Sequence, residues 1–278
     1  MAAWRGGSLC SAAGLLGLLG LLGLLGPLAP PPALGQQAQP PADPAAPDDQ
    51  DTPADRSAAS PVPFPHPLIT EVLFAVPTSG GDANGDGQRH ATGDEFVELV
   101  NPHDRPISLT GYRLRDRNAS ESSRFDFTFP PLTLEPAEAV VVFNGLKAQW
   151  RGPVGDASLA APEAHPNFER AWVFTARAAT RYVSFANSAD WVLLESPIAQ
   201  PVQAVVWGEP DDQPPERTPL VERVPANPGS SVQRESVGGP LRAHRLLDGR
   251  PHSPGVPLPV GAADQHQDGS GGGEAGGR

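Results

Sequence analysis

Between about Pro67 and Pro257 the apolar residues fall into short runs separated by turn residues. Leu68–Phe74, Glu95–Val100, Tyr112–Arg115, Phe125–Phe129 and Ala139–Phe143 come first. Tyr182–Phe185, Trp191–Leu194, Val202–Trp207 and a weaker Ser231–Gln233 follow. Most are rich in β-branched or aromatic residues, which suit a pleated, half-buried surface, so the pattern predicts strands. No stretch long enough for a helix carries a sustained apolar stripe at i, i+3, i+4 spacing. Short strands in succession without helices between them predict an all-β fold, an antiparallel β-sandwich. Alternation in Glu95–Val100 sets Val97 and Leu99 on one face and Glu98 on the other. Val140 to Phe143 has no polar interruption and suits a central strand covered on both faces.

The two ends follow different rules. Arg5, the Leu-Leu-Gly repeat from Leu15 to Leu25 and the small residues around Ala33-Leu34-Gly35 have the order of a secretory signal peptide. It would occupy residues 1–35, with cleavage before Gln36. An uncleaved anchor fits less well, because the apolar run is shorter than the roughly 20 residues a span requires and prolines follow it. Residues 36–65 are rich in Pro, Ala and Asp, with too little apolar surface to offset the entropy of ordering, and are expected to be a disordered linker. Residues 259–278 are Gly-rich and are expected to be a disordered tail. That leaves 66–258 for the sandwich. The mature protein is expected to be secreted or held in the periplasm or cell envelope, without a transmembrane segment.

Charge and composition remove several function classes. The formal charge of −12 argues against nucleic acid as the main partner, since that binding is driven by cationic surface. Lys147 is the only lysine, so Schiff-base and P-loop chemistry have almost nowhere to start. The only cysteine, Cys10, lies in the segment expected to be removed, which leaves no disulfide, thiolate nucleophile or Cys-based metal site.

Several segments in a fixed order resemble one family. Glu95 to Pro102 is followed by Ile107 to Leu114, then Phe127 to Pro130, Leu134-Glu135-Pro136 and Ala139 to Phe143. This order is similar to the lamin tail domain, an immunoglobulin-like β-sandwich found in nuclear lamins and in many exported bacterial proteins. Phe185 to Leu194 resembles the family's strand pair before its last core strand. Ser231 to Arg234 and Ser253-Pro254-Gly255 are similar to endings of the bacterial members. The likeness runs from Pro67 to Pro257, with a divergent stretch from Gly145 to Arg181. It implies an immunoglobulin-like fold and an accessory role.

Asp82-Ala83-Asn84-Gly85-Asp86-Gly87 carries the sharpest local chemistry. Oxygen ligands at alternate positions with Gly at the sixth match the start of a calcium loop, in which the backbone carbonyl of Gln88 would be next. An EF-hand needs an acid at the twelfth position, where this chain has Gly93; Asp94 and Glu95 come one and two residues late. Calcium bound weakly by Asp82, Asn84, Asp86, Gln88, Asp94 and Glu95 stands beside a simple hydrophilic turn held by Asn-Gly and Asp-Gly.

Arg113, Arg115 and Arg117 alternate along one strand with Arg124 nearby, either as an anion-binding stripe or, better, as a solvated face with neighbouring acids. Trp150 and Trp172 could form a sugar platform, whereas Trp191 and Trp207 lie on core strands. The seven histidines, His66, His90, His103, His165, His244, His252 and His266, lack zincin spacing and read as surface residues. No Gly-x-Ser-x-Gly elbow or Walker loop is present. The sequence thus predicts an exported, non-enzymatic binding or scaffolding module with no catalytic residues, possible calcium, and an unidentified protein or cell-surface polymer as partner. The alternatives are a secreted calcium-dependent hydrolase or a carbohydrate-binding module.

Overall fold

The computed structural model describes residues 60–117, 125–176 and 184–256. The expected signal peptide, most of the expected linker, Arg124, His266 and the expected tail lie outside them. Thirteen strands occupy the described residues. They are β1 (Leu68–Leu73), β2 (Phe96–Val100), β3 (Ile107–Ser108), β4 (Arg113–Asp116), β5 (Asp126–Thr128), β6 (Thr133–Leu134) and β7 (Ala139–Phe143). Then come β8 (Trp172–Thr175), β9 (Asp190–Glu195), β10 (Pro201–Trp207), β11 (Leu220–Val224), β12 (Val232–Arg234) and β13 (Leu241–Ala243). One sheet runs β13-β12-β1-β2-β7-β8, a second runs β11-β10-β9-β4-β5, and β3 pairs with β6. This is the β-sandwich that the short apolar runs predict, with the immunoglobulin-like character that the resemblance implies.

Pairing is antiparallel except at two sheet edges, where β8 lies parallel to β7 and β11 parallel to β10. A tight hairpin cannot join parallel strands; about a dozen residues or more are required. Residues 144–171 and 208–219 provide those crossings. Both edge strands escaped the sequence pattern because β8 sits in the divergent stretch and β11, Leu-Val-Glu-Arg-Val, is broken by two adjacent charged residues. In the expected strand Tyr182–Phe185, residues 184 and 185 have no strand structure and the others lie outside the described residues.

Between the sheets, Ile69, Val72, Val97, Leu99, Val140 and Val142 meet Leu114, Phe127, Val192, Leu194, Val205 and Trp207. Val62 joins them at 2% exposure, so the chain enters the body before residue 66. The far face of the first sheet is also covered. Leu73, Phe96, Val100, Val141 and Phe143 pack there under Phe168, Ala171 and Val173. Ala139–Phe143 is therefore buried on both sides, as its uninterrupted apolar run requires. The divergent stretch and the end of the domain form the cover over this sheet.

That cover changes the meaning of Glu98. Strand alternation does turn it away from Val97 and Leu99, yet it is fully buried. A register shift between Ile69 and Glu71 sets Thr70 and Glu71 on the same outer side. There Thr70 Oγ1 donates to Glu98 Oε1 at 2.7 Å, and the Gly255 N–H donates to Glu98 Oε2 at 2.7 Å. Gly255 has φ +83, and a Cβ there would meet the Phe168 carbonyl at 2.3 Å, so glycine is needed where the terminal segment crosses.

Candidate functional site

The loop from Gly81 to Asp94 joins β1 to β2 and is built from side chains that accept backbone N–H groups. Asn84 Oδ1 accepts from the Asp86 N–H at 3.0 Å, Asp86 Oδ1 from Gln88 at 2.8 Å, and Asp82 Oδ2 from Gly87 at 2.9 Å. Asp86 Oδ2 accepts from the Gln149 N–H at 3.0 Å, which fastens the loop to the divergent stretch. Gly85 and Gly87 take φ of +70 and +93, the left-handed conformations such turns require. Asp94 is buried at the loop's base and accepts from Asn84 at 2.9 Å and His90 at 2.6 Å. Burial pushes its pKa up to about 6; backbone N–H groups oppose the rise and the charge of Asp82 adds to it.

Glu95 does not join these groups. Adjacent residues of extended backbone point to opposite sides, and its carboxylate accepts from the Phe185 N–H at 3.3 Å and from Asn144 Nδ2 at 3.4 Å. Burial lifts its pKa well above the usual carboxylate value, with the Phe185 N–H only partly offsetting the effect. Gln88 is exposed. Among the described residues, no group of three or more His, Cys, Asp or Glu side chains is gathered to hold a metal. Asp82 Oδ1 is nonetheless buried without a hydrogen-bond partner, an oxygen that a cation could engage.

The arginine stripe is neutralised in place. Arg113 makes a two-pronged pair with Asp126, both bonds at 2.6 Å, Arg115 pairs with Glu195 at 3.0 Å, and Arg117 lies 3.5 Å from Asp190. The Arg115 guanidinium also lies over the Trp191 ring at 5.1 Å. This is the face with neighbouring acids that the sequence favoured.

Trp191 and Trp207 are core residues, as expected. Trp150 leans on Phe143 with ring centroids 5.5 Å apart, and Trp172 packs against the inter-sheet core. Both are partly buried in the body.

Two histidines are not on the surface as expected. His165 is 2% exposed within the cover, edge-on to Phe168 at 4.8 Å. His244 is fully buried in a cluster that the sequence gave no spacing signal for. Its Nδ1 lies 3.1 Å from Glu71 Oε1 and 3.2 Å from Ser231 Oγ, and the Ser231 hydroxyl itself donates to Glu71. Glu71 also accepts the Ser253 N–H at 3.0 Å and the Ser253 hydroxyl at 3.2 Å. Nε2 of His244 is 3.1 Å from Asp248 Oδ1, within ion-pair range but too oblique for a hydrogen bond. Burial lowers the His244 pKa, yet the Glu71 and Asp248 carboxylates outweigh it and hold it above the usual value. Serine, histidine and glutamate meet here, but the serine hydroxyl is tied to the carboxylate and the group is closed to solvent. Its evident work is to fasten Ser231 on β12 and the 253–255 segment to β1.

At one end of the sandwich a pocket of about 370 Å³ opens between the approach to β1, the β3–β4 turn and the β9–β10 hairpin. Pro65, His66, Thr110, Tyr112, Ile198 and Gln200 are among its lining residues. His66 Nδ1 and the Tyr112 hydroxyl are 2.8 Å apart. Sequence reading missed the pocket because its walls come from three separated turns.

Two facing sheets that enclose one apolar core form an immunoglobulin-like sandwich, a fold that supports at most a non-catalytic binding module. The chain belongs to the Lamin Tail Domain family, whose model matches residues 68–209, just over half of the chain. That family is one of non-enzymatic immunoglobulin-like domains. Strands β11 to β13 and the Ser253–Gly255 segment lie beyond the matched span. No curated protein matches the chain. Among the described residues, no helix is long and apolar enough to cross a membrane.

Proposed function

We propose that this protein is an exported, non-enzymatic binding or scaffolding module of the type carried by exported bacterial lamin-tail proteins, with a sandwich that calcium stabilises. One observation carries the non-enzymatic part. The groups best suited to acid–base chemistry, Glu71, Glu95, Glu98 and His244, are each at most 1% exposed and hold the chain's own backbone and hydroxyl groups. A general acid or base must reach the proton it transfers, and these are sealed. Export rests on the order of Arg5, the Leu15–Leu25 repeat and the small residues before Gln36. Expression from the native start should deliver protein outside the cytoplasm with Gln36 as its first residue. N-terminal sequencing of the exported fraction reads this, and a chain still beginning at Met1 would overturn it.

Calcium is supported by the buried, unpartnered Asp82 Oδ1, which lies in the same loop as the side-chain oxygens of Asn84 and Asp86. A cation bound only to the folded loop stabilises by RT ln(1 + [L]/Kd), about 1.4 kcal/mol at ten times Kd. For a domain of this size that is a rise in Tm of about 4 °C. The double change Asp82→Ala and Asp86→Ala should abolish the rise while the sandwich stays folded, since the loop lies outside the strands. Melting in millimolar calcium against excess chelator, in both proteins, is the measurement. An unchanged wild-type midpoint would leave the loop as a turn, and a rise that survives in the double variant would place the ion elsewhere.

A further inference from the structure

We propose that the pocket at the His66–Tyr112 end of the sandwich binds a neutral saccharide, a site separate from the loop and from Trp150 and Trp172. The proposal rests on the binding-module reading and supplies its ligand class. Three features of the walls lead to it.

The first is charge. The protein carries a formal −12, yet no Asp, Glu, Lys or Arg lines this pocket. Its one titratable base is His66, which burial and the neighbouring His103 hold below the usual imidazole value, so it is neutral near pH 7. A charged ligand would find no counter-charge here and would lose hydration on entry.

The second is hydrogen-bonding capacity without rearrangement. The Ser108 hydroxyl donates to Thr110 Oγ1 at 3.0 Å, which leaves the Thr110 proton available. Ser196 Oγ accepts the Gln200 N–H at 3.2 Å, which leaves its own proton available. The Gln200 side-chain amide is exposed, makes no hydrogen bond among the described residues, and offers both donors and an acceptor. Hydroxyls and an amide, each able to donate or accept, are complementary to a ligand whose groups do the same. Sugar hydroxyls are such groups.

The third is an apolar wall. Pro65, Pro197 and Ile198 face the same space, and Ile198 is 74% exposed at the tip of a hairpin. A sugar ring has an apolar C–H face and a hydroxyl rim, which such a wall and such donors match together. The volume of about 370 Å³ sits at the small end of ligand pockets, roughly 300–1,000 Å³. Peptide capture by strand addition is disfavoured, because the hairpin's backbone groups are closed on themselves. The Ser196 N–H donates to the Gln200 carbonyl at 2.8 Å, and the Ala199 N–H to the Ser196 carbonyl at 2.9 Å. Those bonds also keep the wall preformed, so little ordering accompanies binding.

The test is amide NMR of the full chain titrated with maltose, cellobiose, lactose, xylobiose and chitobiose, with digalacturonic acid as the charged counterpart. At about 10 mM, above the millimolar Kd expected of a shallow site, at least one neutral disaccharide should shift Thr110, Tyr112, Ile198 and Gln200 saturably. Digalacturonic acid should shift none of them. Gln200→Ala and Thr110→Val should each weaken binding about tenfold, the loss of one hydrogen bond. Both positions are exposed, so the remaining resonances should keep their wild-type positions. Absence of saturable shifts with all five neutral sugars, equal shifts with the acid, or binding unchanged in both variants would overturn the proposal. Export and the calcium response are read in separate experiments, so a failure here is distinguishable from a failure of either.

Discussion

Trp207→Ala is expected to cost about 3–5 kcal/mol of folding stability, the range for removing a large aromatic side chain from a packed core. Trp207 ends β10 at zero exposure, and its ring stacks on Phe74, the residue that follows β1, with centroids 4.1 Å apart and planes 7° from parallel. Phe185 meets it edge-on at 5.5 Å, and the indole N–H donates to the Ala186 carbonyl at 2.7 Å. Truncation would leave a cavity between the sheets and an unpaired carbonyl together. Trp207→Phe separates the two, since it keeps ring contact with Phe74 and loses mainly the hydrogen bond. About 1 kcal/mol is expected for that change, plus a smaller packing loss. Urea unfolding of the three proteins measures both. A loss under about 1 kcal/mol for Trp207→Ala would mean that the sheets are not held together at this point.

The runs that form β1, β2, β4, β5, β7, β9, β10 and β12 were legible because apolar alternation and uninterrupted apolar strands report burial directly. Ala139–Phe143 shows this best, having both neighbours and both faces buried. Polar residues were harder to place. Glu98 has the alternation of a solvent-facing side chain, but alternation states only which face a residue takes, never whether another segment covers that face. The cover includes Phe168 and the 253–255 segment, distant in sequence from β2 and without a strand pattern of their own. The same limit hid the cluster of Glu71, Ser231 and His244, whose members are far apart along the chain and meet only when β12 pairs with β1. The arginine stripe could be weighed correctly because its acids, Asp126 and Glu195, lie on the neighbouring strands of one sheet. In the 82–94 loop the spacing of oxygens was visible, but the same spacing serves Asx turns. Which carboxylate turns inward at Asp94-Glu95 depends on where β2 begins.

Glu98→Gln should raise stability increasingly as pH rises. Burial, with the Glu71 carboxylate as the next cause, lifts the Glu98 pKa to about 8, while the Thr70 hydroxyl and the Gly255 N–H pull against the rise. A carboxyl group with an ordinary pKa when unfolded and a raised one when folded binds its proton more tightly in the folded state. Its contribution is therefore complete below the ordinary value of 4.5 and is lost as pH climbs through about 8. In the variant the amide is neutral at every pH. Its Nε2 can donate to Thr70 Oγ1 and its Oε1 can accept the Gly255 N–H, so both attachments of the terminal segment survive. Other buried groups titrate too, among them Glu95, Asp94 and His244, so the informative quantity is the difference between variant and wild type. That difference should be small near pH 5 and grow to a few kcal/mol by about pH 9, where an unprotonated Glu98 would sit uncompensated beside Glu71. Urea unfolding at successive pH values gives it. A difference that stays constant across the range would show that Glu98 keeps one protonation state throughout, and the terminal segment would then be held by an ionised carboxylate.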